Sequence, residues 1–142
     1  MQATIQILTG ALGTLGFSLF FSCEKQHLFW LTLGGGLSWA VYLIFSQISP
    51  SEAVCYYMAS LVVGIYSEIF ARILKTPAIN LLIPGILPLV PGGSLYYTMR
   101  YAFSKEWEMF FEKGVTTLGI ALAIAMGVIT VSAFLKMTEH KK

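Results

Sequence analysis

An all-α polytopic membrane protein with five transmembrane helices, the fourth broken by proline and glycine, is the fold class this sequence predicts. Two observations carry the first half of that statement. Of 142 residues, 56% are hydrophobic and 11% charged, with a mean hydropathy of +0.74, whereas soluble domains are roughly 25% charged. The apolar residues also collect in five uncharged runs, at 1–23, 28–46, 53–67, 76–99 and 114–135. A helix needs ~20 apolar residues to span the hydrocarbon core. Four runs reach or approach that length, and the third does so if its helix continues through Glu68 to Arg72. One transmembrane domain, 1–142, is therefore expected, with spans at about 3–23, 28–46, 53–72, 77–101 and 114–135.

The third observation is the fourth run itself. Residues 76–99, TPAINLLIPGILPLVPGGSLYYTM, hold Pro77, Pro84, Pro88 and Pro91, four of the chain's five prolines, beside Gly85, Gly92 and Gly93. Each interior proline costs an α-helix about 3 kcal/mol, so the spacing predicts a break. Irregular backbone at membrane depth survives only where protein buries it or where it lines an aqueous cavity.

The other elements follow in order. The first run lacks a basic n-region and exceeds the usual h-region of a signal peptide, so a retained helix is expected. Its Gly10, Gly13 and Gly16, with Gly34–Gly36 in the second run and Gly119 and Gly127 in the fifth, mark close helix packing. Pro50 and Ser51 predict a turn, with Ser51 capping the third helix. In the link before the fifth span, Phe103, Trp107, Phe110 and Phe111 share one helical face, opposite Lys105, Glu106, Glu108, Glu112 and Lys113. That pattern suits an interfacial amphipathic helix at 103–113, or an aromatic belt at two helix ends. Cys23 and Cys55 read as small buried hydrophobes, and His27 and His140 as solvated. No metal site and no cofactor is expected.

Net charge is +2, too small to suggest nucleic acid, and no basic run exceeds Lys141–Lys142, which leaves little linear signal for lipid headgroups. Five spans put the termini on opposite sides. One side holds Lys25, Arg72, Lys75, Lys136, Lys141 and Lys142, the other Arg100, Lys105 and Lys113. The positive-inside rule then predicts an outside N-terminus and a cytoplasmic C-terminus.

Chemistry is sought where polarity enters the spans. Broken spans are the usual pointer to a transport site, so Pro84, Gly85, Pro88, Pro91, Gly92, Gly93, Ser94, Tyr97 and Thr98 are the candidate substrate-binding or gating residues. Ser94 is expected to cap a second half-helix whose N-terminal dipole suits a carboxylate. The alternative is that PGG is a tight packing corner. Glu68, the one ionisable residue inside a span, reads equally as a proton-coupling carboxylate or as a structural ion pair with Arg72 at i+4. No Asp, HExxH, GxSxG or Walker loop occurs, and no enzyme activity is expected.

The segment SEIFARILKTPAINLLIPGILPLVPGGSLYYTM resembles the signature of the threonine/serine exporter family, in particular its small C-terminal unit of the YjjB type. Glu68 and Arg72 in ExxxAR form, Thr76–Pro77, and the PGI–LVPGG core from Pro84 to Gly93 followed by Tyr96 carry the resemblance. It implies a subunit of a two-component secondary transporter in the bacterial cytoplasmic membrane, exporting threonine, serine or related carboxylates, including dicarboxylates. It also implies a larger five-span partner subunit of the YjjP type, fused to the small unit in some members. Self-association into a homo-oligomer, and a non-transporting scaffold role, are the other readings of such a chain.

Overall fold

The computed structural model describes residues 2–21 and 25–139, which form helices and no strand. Expectations for Cys23, His140, Lys141 and Lys142 lie outside the described residues. Six α-helices follow in order: α1 Gln2–Phe20, α2 Leu28–Ile48, α3 Glu52–Leu74, α4 Ala78–Ile86, α5 Gly92–Phe103 and α6 Trp107–Glu139. Short 3₁₀ turns precede α2 at Lys25–His27 and follow α4 at Leu87–Leu89.

Four helices are long and apolar enough to cross a membrane, and α4 with α5 make a fifth candidate bent by 53°. A bend of that size keeps the chain moving forward, so the pair passes through rather than turning back. Opposed contacts fix the directions. Thr14 meets Gly35 while Gly10 meets Trp39, so α1 and α2 run antiparallel. Ser60 meets Gly127 while Gly64 meets Val131, so α3 and α6 run parallel.

α2 is the hub, packed by α1, α3 and α4, whereas α6 packs on α3 and α5. The glycine triplet explains how one helix serves three neighbours. A Cβ on Gly34 would stand 3.0 Å from the Tyr66 ring, one on Gly35 would overlap Thr14, and one on Gly36 would sit 3.5 Å from Ala11. Tyr66 also donates to the Trp30 carbonyl at 2.8 Å, tying α3 to the start of α2. Of the other glycines expected at helix contacts, Gly10 and Gly127 are close-packed, but Gly13, Gly16 and Gly119 face open space.

The buried column of α3 is Cys55, Ala59, Val63, Ser67 and Ala71, at strict i+4 spacing. Small side chains there let backbones approach where lipid supplies no competing solvophobic force. Four of the five buried polar residues are satisfied locally: Thr14, Ser18, Ser38 and Ser60 each donate to a carbonyl three or four residues earlier, whereas the buried Ser67 hydroxyl has no hydrogen-bond partner among the described residues. Cys55 is buried, as a small hydrophobe, with Sγ against the Ser51 carbonyl.

Helix ends depart from expectation in three places. Ser51 occupies the N-cap of α3, but its hydroxyl makes no capping bond. His27, expected in solvent, is half-buried at the N-cap of α2. The interfacial helix expected at 103–113 is not a separate element. Phe103 closes α5, Lys105 turns the chain at φ 59°, and 107–113 are the first turns of α6. Charged residues such as Glu112 and Lys113 do not interrupt a helix, so α6 runs on for 33 residues, about 50 Å at 1.5 Å each.

α3 and α5 stop in the same way. Lys75 and Lys105 adopt the left-handed region, and the following amides, of Thr76 and Glu106, bond back to Ala71 and Tyr101 at 3.0 Å. This is the Schellman arrangement, which satisfies end carbonyls at the cost of a non-glycine residue with positive φ. Pro77 then forbids continuation of α3.

Candidate functional site: a broken span at mid-depth

Three prolines at spacings of four and three dismantle the fourth span stepwise. Proline has no N–H, so Pro84, Pro88 and Pro91 deprive the carbonyls of Asn80, Pro84 and Leu87 of their α-helical donors. The chain answers by tightening. Leu87 N–H bonds the Pro84 carbonyl and Val90 N–H bonds the Leu87 carbonyl at 3.1 Å, both i→i+3 bonds of 3₁₀ type. This is why residues 87–89 form a 3₁₀ turn between two α-helices.

The break is narrower than the sequence implies. α4 continues through Pro84 and Gly85 to Ile86, and α5 already starts at Gly92. Ser94 is therefore not the cap but the third residue of α5; Pro91 holds the cap position without a side-chain bond. Of the first-turn donors, Gly92 N–H bonds the Val90 carbonyl at 2.7 Å and Leu95 N–H the Pro91 carbonyl at 3.0 Å. The amides of Gly93 and Ser94 have no carbonyl ahead of them within the helix.

Depth follows from the neighbours. A Cβ on Gly10 would lie 3.5 Å from the Trp39 Cβ and 3.7 Å from the Pro88 Cβ. Gly10 and Trp39 stand near the midpoints of α1 and α2, so the break lies halfway along the bundle.

The structure divides the candidate residues into two groups. Pro84 and Gly85 are buried, and a Gly85 Cβ would meet Val63 Cγ1 at 3.3 Å. Pro88, Pro91 and Ser94 are half-buried. Gly92 and Gly93 are exposed, and a Cβ added to either would meet no atom within 4 Å. Tyr97 is 47% exposed. Thr98 donates to the Ser94 carbonyl at 2.8 Å and shares a hydrogen bond with Thr117 of α6 at 3.3 Å. The second half-helix therefore leans on α6 and leaves its N-terminal turn open.

Residues that sequence reasoning passed over also gather at the break. Gln6, Thr9, Gly10 and Trp39 line a cavity of about 240 Å³ with Pro88. The signal was present, since Gln6 and Thr9 are polar residues in an otherwise apolar first span. Glu68 and Arg72 sit elsewhere, half-buried and exposed respectively, on one groove between α3 and α6. Neither adjoins the break.

A bundle of helices with four to five segments long and apolar enough to cross a membrane, one of them broken, defines a multi-pass membrane protein. The family model for the threonine/serine exporter, ThrE, matches residues 6–134. The chain belongs to that family. No curated protein and no solved structure matches it.

Proposed function

We propose that this chain is one subunit of a two-component secondary transporter that exports threonine, serine or a related small carboxylate, driven by the proton gradient. The observation that carries the reading is the half-helix α5 beginning at mid-depth with its Gly92–Gly93 turn open to its surroundings. Amides at a helix start and the positive end of its dipole suit a carboxylate. Tyr97 and Thr98, one turn further on, add hydroxyl groups for the substrate's polar end. Glu68 is the coupling carboxylate in this reading, because an ionisable group within a span is costly unless it is used.

The partner is a larger five-span subunit of the YjjP type, which completes the open side of the site. The membrane is the bacterial cytoplasmic one. The N-terminus faces outward and the C-terminus the cytoplasm, since Arg72, Lys75 and Lys136 lie at the same end of the bundle. A second reading, a non-transporting scaffold for that partner, draws on the buried corner at Pro84 and Gly85.

Reconstitution separates the readings. Liposomes with both subunits are expected to exchange labelled threonine or serine, and liposomes with either alone are not. Exchange by this chain alone would remove the obligate pair and the scaffold together. Full exchange by the partner alone would remove the site assigned to the break.

A further inference from the structure

The cavity of about 240 Å³ between α1, α2 and the break carries polar groups that the bundle does not use. Its lining residues are Gln6, Thr9, Gly10, Trp39 and Pro88, none of them ionisable. At ~30 Å³ per water it has room for about eight waters, and so for a solute with as many non-hydrogen atoms. Gln6 is exposed, and its carboxamide makes no hydrogen bond among the described residues. Thr9 directs its hydroxyl proton to the Ile5 or Gln6 carbonyl, at 3.0 and 2.9 Å, which leaves its oxygen as an acceptor. The Trp39 indole N–H is buried and has no partner among the described residues.

Gln6 stands at the depth of the open turn of α5. Gly10 packs against Pro88, with 3.7 Å between the Pro88 Cβ and a Cβ added to Gly10. From that contact α1 runs back four residues to Gln6, about 6 Å toward the end of the bundle where α2 gives way to α3. The broken span runs forward from Pro88 to Gly92 toward the same end, about 6–8 Å. The amides of Gly93 and Ser94 point back along α5 toward the break, so a carboxylate held by them lies between the levels of Gln6 and Gly10. A carboxamide at this depth is costly without a partner, and this chain supplies none among its described residues.

We propose that Gln6, with Thr9, reads the side-chain hydroxyl of the exported amino acid while the Gly93 and Ser94 amides hold its carboxylate. The inference rests on the transport reading. An uncharged hydroxyl suits these groups: Gln6 Oε1 or Thr9 Oγ1 accepts its proton, and the Gln6 amide donates to its oxygen. A second carboxylate would lie near mid-depth with no cation among the lining residues to balance it. The span also fits. A carboxylate oxygen and a β-hydroxyl about 4 Å apart, with a hydrogen bond of ~2.9 Å at each end, bridge about 10 Å. Packed helices stand about 8–10 Å apart, axis to axis.

Proteoliposomes holding both subunits test it, with labelled threonine and 2-aminobutyrate, the analogue carrying hydrogen in place of the hydroxyl, as probes. The unaltered chain is expected to favour threonine about tenfold in KM, the effect of one or two hydrogen bonds. Gln6→Leu raises the threonine KM toward that of 2-aminobutyrate, so the ratio falls to about two. Gln6→Asn, which keeps the carboxamide, gives an intermediate ratio. A KM ratio does not depend on the amount of folded protein, and Gln6 is exposed, so a merely structural role would not move it. Threonine is also expected to protect Gln6→Cys from a thiol reagent. An unchanged ratio in Gln6→Leu, or no preference for threonine by the unaltered chain, overturns the assignment and leaves the transport reading standing. Cross-linking of Gln6→Cys to a helix of another chain, without protection by threonine, does the same. Absence of exchange of either compound by the unaltered pair overturns both.

Discussion

Replacing Gly127 with alanine probes the junction that holds α6 to the rest of the bundle. The added methyl group would overlap Ser60 Oγ and stand 3.0 Å from both the Ser60 Cβ and the Tyr57 carbonyl oxygen. The Ser60 hydroxyl can turn away, giving up its 2.8 Å bond to Tyr57, a loss of about 1 kcal/mol. The Tyr57 carbonyl is α3 backbone and cannot turn, so the helices must separate. Overpacking of this kind costs about 1–3 kcal/mol, and the better helix propensity of alanine returns about 0.5–1 kcal/mol. A net loss of about 1–3.5 kcal/mol follows. Gly119→Ala is the matched control, because nothing lies within 4 Å of its Cβ position, and it should gain about 0.5–1 kcal/mol from propensity alone. Reversible unfolding in mixed micelles reads both variants on one scale. Equal stability of Gly127→Ala and Gly119→Ala would refute the close α3–α6 contact.

Gly35→Ala should be costlier, about 3 kcal/mol, because the new methyl group overlaps Thr14 and would lie 2.6 Å from its Cβ; the same unfolding assay, with partial recovery on adding Thr14→Gly, checks it. Gly93→Ala adds a methyl group with no protein atom within 4 Å, so stability should hold while KM for the exported substrate rises; an unchanged KM would place the substrate elsewhere. Glu68→Gln should abolish gradient-driven transport in proteoliposomes and leave substrate exchange intact, whereas an unchanged pH dependence of transport would assign Glu68 to a structural pair with Arg72.

The class of the protein and the location of its break were legible because both depend on composition and covalent geometry. Missing charge identifies a membrane chain, and a proline lacks its amide whatever surrounds it. The edges of the break were not legible. Pro84 stays inside α4 because one lost hydrogen bond is tolerated where α2 and α3 bury the turn, and no local rule contains that burial. Gly92 and Gly93 read as helix breakers yet open α5, since neither adopts positive φ. Ser94 resembles a cap only if the helix begins after it. Tertiary placement was further out of reach. Nothing in GGG says that three consecutive glycines face Tyr66, Thr14 and Ala11 in turn.

The central claim is that the mid-depth break, and not merely the bundle around it, performs transport. Pro88→Ala with Pro91→Ala restores the missing amide donors and favours one continuous fourth span. The decisive measurement is export of labelled threonine and serine from cells carrying that double variant with the rest of the system unaltered. The account predicts normal membrane insertion and stability, with export reduced to background. Export at the unaltered rate from a chain whose fourth span has become continuous would contradict it.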